Sequence, residues 1–260
     1  MDANVASYLQ SYAVLIAIVR PAMLLAILFG LWRALRRATL SPNERMTAWF
    51  AVAVPLVVWF MVIWNLAASG MFQAQPGTTS PIPAAVIIPA LIGLIGLSRS
   101  RRIAAALDAA PAAWLIGLQV YRVIGGNFVV LWLYGAIPGV FAVPAGFGDV
   151  LVGLLAIPVA LYTASGRAGG TALAVAWNIL GIADLVNALA LGFLTSPGPF
   201  QPLAVNHPNL LITAYPTVMT PAFAVPLSLI LHGASLWQLR RRFRSQAAVR
   251  PLNRGVARAG

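Results

Sequence analysis

Four charged side chains in this 260-residue chain fall inside long apolar runs: Arg20, Arg122, Asp149 and Asp184. The whole chain holds just five acidic residues, and two of them are in this set. A charge within a membrane-spanning segment is costly, and such residues pair with one another, line a site, or both. Two arginines and two aspartates are the complement needed for neutralising pairs, which hydrocarbon tolerates far better than single ions. At a helical rise of ~1.5 Å per residue, Arg20 and Arg122 come near mid-depth of their runs, and Asp184 lies ~20 Å from the inner start of its own. Arg122 and Asp184 are therefore the best-matched pair. Asp149 opens its apolar run in FAVPAGFGDVLVG. This puts it in the first helical turn, where a carboxylate suits the helix dipole and caps free N–H groups. It also sets Asp149 up to ~20 Å from Arg122 along the membrane normal, too far for contact unless the helix tilts or starts deeper.

Neighbouring residues extend this set. In QVYRVIGGNF, Gln119, Arg122 and Gly126 share a face by their i, i+3, i+7 spacing. In WNILGIADLVNAL, Gly181, Asp184 and Asn187 fall within about 120° of one another, with Asn178 elsewhere or at the inner edge of a broad polar face. Arg20, Gln119, Arg122, Asp149, Asp184 and Asn187 are the candidate ligand-binding or pocket residues, in the outer half of a bundle. The competing reading is structural: buried ion pairs and amides glue membrane helices together at roughly 1 kcal/mol per hydrogen bond. Asn65 and Asn127 fit that reading better than a site. Glycines such as Gly93, Gly96, Gly125 and Gly126 also commonly serve close helix packing.

Other chemistries find no support. There is no cysteine, and all 17 basic residues are arginine. That excludes thiolate ligands, a lysine phosphate loop and a Schiff-base cofactor. The two histidines, His207 and His232, are ~20 Å apart by helical rise and have no partners at metal-ligand spacing, so no metal or cofactor is implied. His232 reads as a packed or interfacial histidine.

The elements that position these residues are membrane helices. Sixty per cent of residues are apolar and 8% charged, against ~45–50% and ~25% in soluble domains. Seven runs are long enough to span: Ser11–Trp32, Ala48–Ala68, Ile82–Leu97, Ala112–Leu133, Gly148–Thr163, Thr171–Leu194 and Val218–Leu239. The N-terminal stretch MDANVASYLQ, with Asp2 and no basic residue, does not read as a signal peptide, so the first run is an expected span. Arginines 33, 36, 37, 45, 99, 101, 102 and 167, and those of the tail from Arg240 to Arg258, all fall on one side. The remaining connections carry none. By the positive-inside rule the N-terminus is outside and the C-terminus inside. The expected fold is all-α, a seven-transmembrane-helix bundle over residues 1–239, with a basic cytoplasmic tail, 240–260, resting on anionic headgroups. A net charge of +12 then calls for lipid rather than nucleic acid as partner. Of the outer connections, GMFQAQPGTTSP reads as a polar loop. YGAIPGVFAVPAGFG and TSPGPFQPLAVNHPNLLITAYP are apolar and rich in Pro and Gly, so they read as segments lying in the interface or folding back over the bundle.

The runs QVYRVIGGNFVVLWLYGAIPGVFAVPAGFGDVLVG and WNILGIADLVNALALGFLTSPGP resemble a family of uncharacterised bacterial multi-pass membrane proteins of about seven helices. The GFGDVLVG and WNILGIADL segments carry the resemblance, over spans four to seven. It implies a bacterial inner-membrane location and no particular activity or functional residue.

Three functional classes remain. A small-solute or ion transporter or channel fits the mid-depth charges, although no span shows a clearly interrupted helix pair. A non-catalytic accessory, sensory or ligand-binding membrane protein would hold a lipid, quinone or pigment in the pocket. An intramembrane enzyme would need Asp149 and Asp184 on adjacent helices as acid and base.

Overall fold

A computed structural model describes residues 3–75 and 77–256; for residues 245–256 only the backbone is described. Asp2, residue 76 in the first outer loop, and the side chains of the basic tail beyond Arg244 lie outside the described residues. The described chain is all-α. Nine α-helices run α1 (Ala3–Arg37), α2 (Pro42–Ala68), α3 (Ile82–Arg99), α4 (Arg101–Ala109), α5 (Ala112–Gly117), α6 (Asn127–Leu133), α7 (Gly139–Ala164), α8 (Gly170–Thr195) and α9 (Val225–Val256). Seven segments are long and apolar enough to cross a membrane, which points to a multi-pass membrane protein. The fourth segment (Ala112–Leu133) and the seventh (Thr220–Arg244) are composite.

Span five differs most from expectation. Its helix begins at Gly139 rather than Gly148, and the apolar Pro/Gly segment before Asp149 is its first turns, with Pro144 inside the helix. Where no water can serve backbone N–H and C=O groups, a helix satisfies nearly all of them internally, and this outweighs one proline's missing donor. Asp149 is therefore ten residues into α7, ~15 Å below its start, not in its first turn.

Span four changes winding at mid-depth. Between α5 and α6, Leu118–Gly126 forms a nine-residue 3₁₀ helix. Runs beyond 3–4 residues are uncommon in that conformation, which stacks side chains every third residue. Ile116, Gln119, Arg122, Gly125, Phe128 and Leu131 are all buried, a strict period of three. Gly125, not Gly126, is therefore in line with Arg122. Span seven opens on a π-helical turn, Thr220–Ala224, before α9. Irregular winding thus occurs in two of the spans, within otherwise continuous helical segments.

Span seven is the most buried of the seven and α3 the least. Phe223 packs on Trp59 and Phe60 of α2, at centroid distances of 4.7 and 5.0 Å. Spans four and five cross closely: a Cβ on Gly153 would come within 2.6 Å of the Val123 backbone nitrogen. At the arginine-rich end, α4 is a short amphipathic helix within what reads in sequence as a loop. Ser100 caps it, Ile103 and Leu107 are buried, and Arg101 and Arg102 are exposed. Its Asp108 pairs with Arg241 of α9. At the other end, residues 196–219 fold back over the bundle. The Asn209 N–H donates to the Thr195 carbonyl at 2.9 Å, and Thr213 Oγ1 accepts from the Ala74 N–H at 3.0 Å.

Candidate functional site

One arginine gathers both aspartates. Arg122 Nε donates to Asp149 Oδ1 at 2.8 Å and its Nη2 donates to Asp184 Oδ2. Its Nη1 donates to the Gly181 carbonyl at 3.1 Å and to His232 Nε2 at 3.2 Å. Four of the five guanidinium N–H donors are thus used, at a residue 3% exposed. The separation expected for Asp149 and Arg122 is overturned, because α7 starts nine residues earlier and carries Asp149 down to the arginine.

Three glycines make room for this cluster. A Cβ on Gly125 would overlap the Asp149 carboxylate, one on Gly148 the Asp184 carboxylate, and one on Gly181 the His232 ring. Each charged or imidazole group thus occupies the space of a missing side chain on a neighbouring helix.

His232 belongs to the cluster. Since arginine only donates, His232 Nε2 is the acceptor, and Nδ1–H donates to Asn178 Oδ1 at 2.9 Å. The ring is therefore neutral, with its tautomer fixed by its two partners. Asn178 continues the chain through its Nδ2 to Ser235 Oγ at 3.1 Å, forming the inner edge of the polar face. Trp177 covers the ring at 5.1 Å between centroids. The legible signal in span seven was a stripe, Ser228, His232, Ser235 and Gln238, at helical spacing. All four are at most 1% exposed.

The remaining candidates divide. Gln119 is fully buried and donates from Nε2 to the Ser228 carbonyl at 3.1 Å, joining span four to span seven. Asn187 is exposed on the outside of α8, away from the cluster. Its i+3 spacing from Asp184 leaves the two about 60° apart, enough to turn it off the packed face. Arg20 is 2% exposed but pairs with neither aspartate. Its Nη2 donates to Thr220 Oγ1 at 3.1 Å, and its Nε has no partner among the described residues. Tyr12 Oη lies 3.4 Å from the same threonine oxygen. Tyr8 Oη donates to Asn127 Oδ1 at 2.9 Å, and exposed Asn65 bonds back to the Met61 carbonyl, both structural uses. Among the described residues no group of three or more His, Asp or Glu stands where it would hold a metal ion.

Two cavities adjoin the cluster. The larger, about 360 Å³, lies between α3, α8 and the start of span seven, under the fold-back loop. Its lining on α8 runs from Leu185 to Ser196, about 16 Å of helix. Phe128, Phe141, Val86, Leu189, Ile212 and Val225 give it apolar walls, and Asp149 and Thr220 also line it. Two residues of its rim, Ile87 and Phe193, are 55% and 42% exposed, so the chamber reaches the side of the helix bundle there. The smaller void, about 20 Å³, is lined by Arg20, Tyr121, Arg122, Asp149, Thr220 and Ser228 among others. Asp149, Leu185, Thr220 and Val225 are common to both.

Seven segments long and apolar enough to cross a membrane point to a helical, multi-pass type of membrane protein, and an ion cluster stands at the heart of the bundle. Residues 79–240 match a family described as "Domain of unknown function (DUF8737)", and the chain belongs to that family. The match takes in Arg122, Asp149, Asp184 and His232, and begins before span three, earlier than the resemblance read from spans four to seven; Tyr12 and Arg20 lie outside it. No curated protein and no solved structure matches the chain.

Proposed function

We propose that this protein is a non-catalytic membrane protein that binds a lipid-soluble molecule taken sideways from the bilayer. The chamber of about 360 Å³, apolar along its length and open past Ile87 and Phe193, carries this reading. Its volume is within the range of small-molecule sites, ~300–1,000 Å³. The ligand classes it suits are a lipid, a quinone or a pigment. We place the chain in a bacterial cytoplasmic membrane with the N-terminus outside, on the one-sided arginines and the sequence resemblance. The chamber then faces the outer leaflet, and the arginines of the inner ends rest on anionic headgroups.

Transport of a hydrated solute has less support. Arg122 is almost saturated by protein partners, and the polar void beside it has room for about one water molecule. Acid–base catalysis by Asp149 and Asp184 has less support too: their helices are adjacent, but both carboxylates are held by one arginine.

The experiment is solvent extraction of the purified protein followed by mass spectrometry, comparing the parent with Ala188→Trp, which fills the chamber. The expected result is an apolar compound enriched with the parent and lost from the variant. Identical extracts would overturn the reading.

A further inference from the structure

We propose that the void between Arg20, Thr220 and Asp149 receives the hydroxyl group of an otherwise apolar ligand whose body fills the chamber. This rests on the chamber being a binding site and specifies what its inner end selects.

The argument begins with charge. Counted formally, the two arginines, Arg20 and Arg122, offset the two aspartates, Asp149 and Asp184, and His232 is neutral by its hydrogen bonding, so the group as a whole has no net charge, although Arg20 stands outside both ion pairs. A carboxylate or ammonium head would arrive at mid-depth without a counter-ion, at a cost of several kcal/mol after relaxation. A neutral head carries no such penalty.

The second consideration is which hydrogen-bonding positions are left. Arg20 lines the void, and its buried Nε–H has no acceptor among the described residues. Asp149 uses Oδ1 for Arg122, and its Oδ2 accepts no hydrogen bond from the described residues. Thr220 Oγ1 accepts a hydrogen bond from Arg20 Nη2, and where Tyr12 Oη, 3.4 Å away, is the donor of their contact the threonine keeps its own hydroxyl proton for the void. The void therefore offers donors from one wall and an anionic acceptor from another, within a volume that fits one oxygen atom. A hydroxyl matches both sides, since its oxygen accepts from Arg20 or Thr220 while its proton goes to Asp149. An ether or ester oxygen meets the donors alone and leaves Asp149 Oδ2 unpaired. A buried polar group left so keeps its full desolvation penalty with nothing to offset it. The ligand class is thus a long or polycyclic alcohol or phenol.

The test uses the full chain in lipid nanodiscs and three photoreactive probes of equal length: a long-chain primary alcohol, its methyl ether and the corresponding carboxylic acid. Labelled peptides are mapped by mass spectrometry. The alcohol should label the chamber stretch of α8, Leu185 to Ser196, saturably and at about tenfold lower concentration than the ether, equivalent to ~1.4 kcal/mol. The acid should label no better than the ether. Thr220→Val and Arg20→Met should each bring the alcohol down to the level of the ether, and Ala188→Trp should abolish labelling by all three. Equal labelling by alcohol and ether, or stronger labelling by the acid, would overturn the hydroxyl assignment and leave the chamber standing. Absence of saturable labelling by any probe would overturn the chamber itself. The comparison among probes is made on the parent protein, so it holds even if a variant fails to fold.

Discussion

Arg20 and Arg122 are about equally buried, at 2% and 3% exposure, near the middle of their spans, yet they are treated in opposite ways. Arg122 is matched donor by donor: two carboxylates, a carbonyl and an imidazole converge on it from α7, α8 and α9. Arg20 reaches one threonine hydroxyl and keeps a buried Nε without an acceptor among the described residues. A saturated buried charge is a structural joint, because nothing further can bind it without breaking a bond. An unsaturated one in the same surroundings holds capacity in reserve, and it borders the void that meets the apolar chamber. On the proposed reading, function and structure, which the sequence leaves as alternatives for one polar cluster, are divided between two side chains.

The contrast can be broken most directly at Arg122. Arg122→Gln leaves two carboxylates buried without a cation, and should destabilise the protein by about 3–5 kcal/mol in equilibrium unfolding from mixed micelles. Adding Asp149→Asn and Asp184→Asn should recover part of that loss; no recovery would mean that the pairing is not what stabilises the joint. Next in size, Gly148→Ala should cost about 1–3 kcal/mol in the same assay, because its Cβ overlaps the Asp184 carboxylate. Arg20→Met removes one hydrogen bond and also one desolvated charge, so it should cost no more than about 1.5 kcal/mol. A loss as large as that of Arg122→Gln would erase the distinction between the two arginines. Smallest of all, Asp108→Asn breaks the ion pair with Arg241, whose side chains are 42% and 41% exposed. It should change stability by less than about 1 kcal/mol, less still in high salt.

The spans were legible because apolar length is a strong signal: α3 and α8 begin within a residue of where the sequence puts them. The start of α7 was not, because Pro138, Gly139 and Pro144 signal a loop in water, and here the requirement to satisfy backbone groups overrides local preference. That error displaced Asp149 and concealed its bond to Arg122. The partnership of Arg122 with Asp184 was readable from depth alone. His232 was passed over as a packed histidine, which it also is, since a single imidazole has no sequence pattern unless the stripe of Ser228, Ser235 and Gln238 is read with it. Asn187 shows the opposite failure. A spacing of three reads as a shared face, but α8 is a regular α-helix and turns Asn187 outward. In span four the true period is three, so Gly125 rather than Gly126 faces the aspartate.

That change of winding also acts as a screw thread. Nine residues of 3₁₀ helix complete about three turns over ~18 Å, whereas the same residues as α-helix complete two and a half over ~13.5 Å. Converting one to the other would rotate α6 by about half a turn against α5 and draw it inward by ~4.5 Å. The four bonds on Arg122, midway along the thread, hold it against such rotation by anchoring it to three other helices at once. The ion cluster therefore acts as a pin against twisting of span four, beside its own backbone bonds.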